Sequence, residues 1–151
     1  MLRFKLACSL LIPLLGFFFA ATVEACPQDG TRVFYCRTTN NKTVEVCDLG
    51  TKISYSFGRA GRQPELALAV PRNQATSYQW QGIGRYMSYS VTIPNGNTKY
   101  EVFLSVDRLS DDHPLEAGIN VSVDDRHLAT IECAPNSLYQ SLEGIDLPLE
   151  Q

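Results

Sequence analysis

Residues 78–106, YQWQGIGRYMSYSVTIPNGNTKYEVFLSV, decide the fold, because they carry a turn signal and two arms whose alternation can be checked against each other. Asn95-Gly96 is a strong hairpin signal, since both residue types tolerate the positive φ of a type I′ turn. With those two at the tip, Ile93 faces Thr98, Val91 faces Tyr100, Tyr89 faces Val102 and Met87 faces Leu104, all on one face. The other face carries Ser88, Ser90, Thr92, Lys99, Glu101 and Ser105, with Phe103 the exception, so the arms alternate as a half-buried antiparallel sheet requires. Pro94, which lacks an N–H, suits a strand end.

Immediately before the hairpin, Trp80-Gln81-Gly82-Ile83-Gly84-Arg85-Tyr86 is the candidate functional loop. Two glycines around one apolar residue allow a protruding or bulged backbone, and Arg and Tyr are among the residue types most enriched at binding hot spots. Trp80, Ile83, Gly84, Arg85 and Tyr86 are therefore the candidate partner-binding residues. The plainer reading of the same residues is a strand bulge with Trp80 in the core, because tryptophan more often packs than recognises.

The remaining chain reads as further short strands. Residues 31–36 (TRVFYC) and 43–48 (TVEVCD) flank the polar turn Thr39-Asn40-Asn41-Lys42, and 51–57 (TKISYSF) follow with Ile53, Tyr55 and Phe57 alternating. A Gly- and Pro-containing loop, 58–64, leads to 65–70 (ELALAV), which Pro71 ends. After a polar loop over 107–114, residues 117–123 and 126–133 make a last hairpin across Asp124-Asp125. Ala134-Pro135-Asn136 breaks the sheet, 137–143 reads as a short helix stopped by Gly144, and 145–151 as a tail. The sum predicts an all-β protein, a single antiparallel barrel or sandwich of about eight strands with a short C-terminal helix or tail. Its parts are an export signal over 1–25, the β domain over 26–136 and the tail over 137–151.

Residues 1–25 have the layout of a secretory signal: Arg3 and Lys5 open it, 10–21 is apolar apart from Pro13 and Gly16, and Val23-Glu24-Ala25 precedes the expected cleavage point. The apolar run is too short for a persuasive membrane span. Export predicts a periplasmic or secreted protein with no stable membrane span in the mature form. The competing reading lipidates Cys26, but Val23-Glu24-Ala25 matches a lipobox poorly. Cleavage removes Cys8 and leaves Cys26, Cys36, Cys47 and Cys133, an even set suited to two disulfides in an oxidising compartment. Sequence alone permits three pairings; a hairpin turning at Asn41-Lys42 sets Cys36 opposite Cys47 and leaves Cys26 for Cys133. The spacing has no C-x-x-C and does not suit zinc.

Of 13 basic and 16 acidic residues, the signal holds Arg3, Lys5 and Glu24, so the mature chain carries 11 and 15, a formal charge of −4. About 126 residues suffice for one domain with a real core. The acidic balance disfavours nucleic acid and anionic membranes as partners and tilts toward cationic ones.

Chemistry is sparsely represented. His113 lies in an acidic loop and His127 at a hairpin tip, the cysteines pair with each other, and no glycine pattern for phosphate precedes a helix. Asp111-Asp112-His113 and Asp124-Asp125 suit solvated turns better than a metal. Arg59, Arg62 and Arg72, set among glycine and proline, read either as a solvated basic loop or as an anion site. No catalytic residues, cofactor or metal are predicted, and a binding role on an exported β scaffold is the expectation.

The export signal, Tyr35-Cys36, the antiparallel strands, Gly84-Arg85-Tyr86 and the late Ile131-Glu132-Cys133 together resemble the bacterial periplasmic and membrane-bound lysozyme inhibitors. That resemblance implies a small β-barrel that inserts a loop into the lysozyme cleft; Ile83 stands where the family has a serine. Gly84, Arg85 and Tyr86 would form the inserted loop, Arg85 facing the two catalytic carboxylates and Tyr86 with Trp80 supplying apolar contact. Two other readings fit the same outline. One is a periplasmic immunity protein against a delivered toxin. The other is a carbohydrate- or surface-binding module, which requires Trp80, Tyr86 and Tyr89 to lie exposed in a row.

Overall fold

Period-two alternation becomes ten strands in the computed structural model, which describes residues 26, 27 and 29–150. The expected export signal lies outside the described residues. In chain order the strands are β1 (Thr31–Arg37), β2 (Lys42–Asp48), β3 (Lys52–Arg59), β4 (Leu66–Pro71), β5 (Thr76–Gln79), β6 (Tyr86–Asn95), β7 (Thr98–Asp107), β8 (Leu115–Val123), β9 (Arg126–Glu132) and β10 (Tyr139–Gln140). A single 3₁₀ turn, Arg72–Gln74, links β4 to β5. Pairing is antiparallel throughout the two five-stranded sheets, ordered β10-β1-β2-β3-β4 and β5-β6-β7-β8-β9. The two sheets form a sandwich and do not close into a barrel. Among the described residues no helix is long and apolar enough to cross a membrane.

The core is where the inward residues of the two sheets meet. Phe34, Val44, Val46, Ile53 and Tyr55 come from the first sheet, and Val91, Ile93, Val102, Leu104 and Ile119 from the second. Tyr55 and Tyr100 stack with ring centroids 5.1 Å apart. Burial pushes the Tyr55 phenol well above its usual range, with Tyr100 adding to the effect, so this side chain stays neutral at any working pH.

The central hairpin turns one residue later than Asn95-Gly96. Asn95 pairs with Thr98, so Gly96 and Asn97 form the loop, and the facing pairs are Ile93 with Tyr100, Val91 with Val102, Tyr89 with Leu104 and Met87 with Val106. Gly96 holds a φ of +63° and Asn97 is not among the positive-φ residues, the signature of a type II′ loop with glycine first. Each partner moves by two residues, an even slip, so every side chain keeps its expected face.

The first hairpin slips by an odd number, and that changes the disulfides. Its loop lies over 38–41, with Asn41 at a φ of +60°, which pairs Cys36 with Val44 and, past a bulge, Cys47 with Arg32. Cys36 thus joins the core while Cys47 points to the opposite face of the sheet. The expected pairs Cys36–Cys47 and Cys26–Cys133 are replaced by Cys26–Cys47 and Cys36–Cys133. Cys26, the lipid site of the competing reading, has its sulfur bonded to Cys47 in this structure.

The C-terminal segment is no helix and no loose tail. Tyr139 and Gln140 pair with Tyr35 and Phe34, making β10 an edge strand of the first sheet. Leu142 is fully buried and Leu147 nearly so, and Leu149 bridges in parallel to Ser77 beside β5. Residues 137–150 therefore close one side of the sandwich.

Candidate functional site

The loop between β5 and β6 stands at one end of the second sheet, and its shape follows from its glycines. Gly82 and Gly84 take φ values of +81° and +99°, which side chains with a Cβ rarely adopt, and the turn this allows pushes Ile83 out to 83% exposure. The tip is braced from within. The Trp80 indole N–H donates to the Ile83 carbonyl at 2.9 Å while its ring packs against the edge of the core, and the Arg108 guanidinium lies 4.6 Å from the ring centroid. The Arg108 backbone N–H donates to the Arg85 carbonyl at 3.0 Å.

A buried carboxylate fixes the loop's second leg. Asp107, at the end of β7 opposite Tyr86, accepts from Arg85 Nε at 3.0 and 2.9 Å and from Arg85 Nη2 at 2.6 Å. Such forked Arg–carboxylate pairs are among the strongest charge-assisted contacts. Asp107 also accepts the Leu109 N–H at 3.0 Å, so it ties together the loops on either side of the hairpin's open end. Hydrogen bonding from Arg85 holds its carboxyl below the usual carboxylate range, against an opposing effect of burial.

Trp80, Ile83, Gly84, Arg85 and Tyr86 thus lie together, but with divided roles. Trp80 and Arg85 hold the loop's shape; Ile83 and the half-exposed Tyr86, 5.7 Å from the Arg85 guanidinium, are the surfaces available for contact. Arg85 is consequently not a free cation waiting for a partner's carboxylates, although 53% of its side chain remains accessible. Asp107, Arg108, Leu109 and Leu115 were not singled out by sequence. Leu109 and Leu115 are exposed at 72% and 55% at the same end, Leu115 pairing with Val106 beside Asp107. The signal that could have found Asp107 and Arg108 was the corrected hairpin register, which sets Tyr86 opposite Asp107.

Elsewhere the candidates separate. Arg72 is tied to the Asp48 carboxylate and the Asp146 carbonyl, away from Arg59 and Arg62. Asp124 and Asp125, with φ of 50° and 59°, form the β8–β9 turn, and the His113 ring sits 3.2 Å from the Asp107 carbonyl. Tyr89 is buried, its hydroxyl 3.3 Å from Glu143, so no row of exposed rings joins it to Trp80 and Tyr86. Among the described residues the one group of potential metal ligands is Cys26, Glu45 and Cys47, and its two sulfurs are bonded to each other. No family model matches the chain, and no curated protein or solved structure is significantly similar to it.

Proposed function

We propose that this chain is an exported binding protein without catalytic activity, which engages another protein through the loop of Trp80, Ile83, Gly84, Arg85 and Tyr86. The target class is a cell-wall-degrading glycosidase such as lysozyme, whose cleft the loop would plug. One observation carries the reading: an isoleucine at 83% exposure on a loop tied by hydrogen bonds from Trp80, Arg85 and the Arg108 backbone. Exposed apolar surface set on a pre-ordered backbone has little ordering entropy left to lose on binding. Tyr86, Leu109 and Leu115 are further exposed apolar side chains at this end of the sheet, and the exposed Asp111, Asp112, Glu116 and Glu132 lie toward the same end. An apolar centre with an acidic rim suits a cationic partner surface.

The test is inhibition of, and binding to, lysozyme by the mature protein and by Ile83→Asp. A charge at the tip should weaken binding by more than about ten-fold, the scale of a hot-spot loss, while the melting curve stays unchanged. A wild-type protein that neither binds nor inhibits lysozyme would discard the glycosidase target. Equal affinity of Ile83→Asp for a bound partner would discard the loop.

A further inference from the structure

A groove distant from the loop in sequence lies on the outer face of the first sheet. It encloses about 520 Å³, within the range of small-ligand sites. Tyr35, Glu45 and Ser56 are cross-strand neighbours along its floor, and the β3–β4 loop forms its wall. That loop folds back because Gly58 has no side chain: a Cβ there would stand 2.7 Å from the Glu65 nitrogen and 2.9 Å from the Pro64 Cα. Arg32, Arg59 and Arg62 line the groove against a single carboxylate, Glu45.

The acids nearby are already engaged by other cations. Arg32 Nε donates to Glu45 at 2.7 Å with its guanidinium 5.0 Å from the Tyr35 ring centroid, and Lys42 Nζ holds Glu65 at 2.6 Å. Arg59, whose side chain is 73% exposed, has only a 4.0 Å contact to Glu65, and Arg62 has no ion pair among the described residues. The charge of the whole chain is divided in the same sense. Residues 26–75 carry seven basic and four acidic side chains, whereas 76–150 carry four and eleven. An acidic protein therefore keeps a basic groove.

We propose that this groove binds an anionic oligosaccharide, its carboxylate or sulfate groups held by Arg59 and Arg62 and a sugar face lying against Tyr35. Guanidinium forks match carboxylate and sulfate oxygens two at a time, and arginine is the residue type suited to it. A sugar fits better than an acidic peptide, because on a sheet face the backbone donors and acceptors are used in the ladders. Extended peptides are recognised mainly by free edge groups. Short hydroxylated rings need only side chains, and Ser56, Thr43 and Glu45 supply hydrogen-bonding groups along the floor.

Calorimetric titration of the mature protein at low ionic strength tests this, with an oligogalacturonate and a heparin-derived oligosaccharide as probes. Cellotetraose and an oligoglutamate peptide serve as the uncharged and non-sugar controls. One or both anionic sugars should bind, an oligogalacturonate-only result assigning carboxylate recognition and a heparin-only result sulfate recognition. Arg59→Ala/Arg62→Ala should weaken that binding at least about ten-fold, the loss expected for a charge-assisted hydrogen bond, with an unaltered melting curve. Ile83→Asp should leave it unchanged, which keeps this site separable from the loop. The proposal falls if neither anionic sugar binds, if the double variant binds as well as the wild type, or if oligoglutamate binds equally tightly.

Discussion

At Asp107 a single carboxylate links the exposed loop to the sheet. Hydrogen bonds from Arg85 depress its pKa in the folded protein, so the sign of the pH effect follows. Bracing is fully present above the ordinary carboxylate pKa of about 4 and is lost as pH falls through the lower, folded value. Affinity for a partner held by this loop should therefore stay flat from neutrality down to about pH 4 and decline only below it. A titration of affinity against pH checks this, and a midpoint near 6 would implicate a histidine instead. Asp107→Asn should weaken partner binding while leaving Ile83 and Tyr86 in place, because the loop loses its anchor and not its contact surface. Gly84→Ala addresses the same point through the backbone. A φ of +99° strains any residue with a Cβ, so a cost of about 1 kcal/mol or more is expected, read by urea unfolding. Sequence identified the Gly-Ile-Gly-Arg-Tyr segment by residue type alone. It did not identify Arg85 as a brace, since its partner Asp107 lies 22 residues further on and is brought near only by the hairpin register.

Among the elements, β10 and the segment after it contribute most beyond what their sequence suggests. Leu142 is fully buried at the margin of both sheets, and the Gln79 side chain reaches across to the Leu142 carbonyl at 2.9 Å and the Gly144 N–H at 2.8 Å. Leu142→Ala should cost about 2–5 kcal/mol in urea unfolding, the usual range for emptying a core leucine site. A cost below about 0.5 kcal/mol, as at an exposed position, would mean that this segment does not close the core. The contrast with the other strands is physical. Where a strand has one face in the core, as in β3 or β6, alternation runs long enough to be read from residue types. β10 has two residues, and the buried Leu142 and Leu147 stand five apart around Gly144, a spacing that fits neither a strand nor a helix face. Turn positions were legible to within one or two residues, because Asn95-Gly96-Asn97 offers two acceptable two-residue loops. The even slip at that hairpin left all faces right, whereas the odd slip at β1–β2 sent Cys36 inward and Cys47 outward and so exchanged the disulfide partners.

For the molecule as a whole, the two disulfides do different work, and their sequence separations set the order of their effects. Cys26–Cys47 closes a separation of 21 residues and secures the start of the described chain to the outer face of the first sheet. Cys36–Cys133 closes 97 residues and joins β1 to the end of β9, so it couples the sheet that carries the groove to the sheet that carries the loop. Chain entropy gives a cross-link of the shorter separation about 3 kcal/mol and the longer about 4–5 kcal/mol, by restricting the unfolded ensemble. Packing acts in the same direction, since Cys36 belongs to the core cluster with Cys133 packed against it, whereas Cys26 and Cys47, though buried, lie outside that cluster. Replacing Cys36 and Cys133 together by serine should therefore lower the unfolding midpoint in urea more than replacing Cys26 and Cys47 together. Below its own transition each double variant should retain both partner binding and groove binding, because the shared core still joins the two sheets. The reverse order of midpoints would mean that the bridge of shorter separation stabilises the fold more than chain entropy assigns to it.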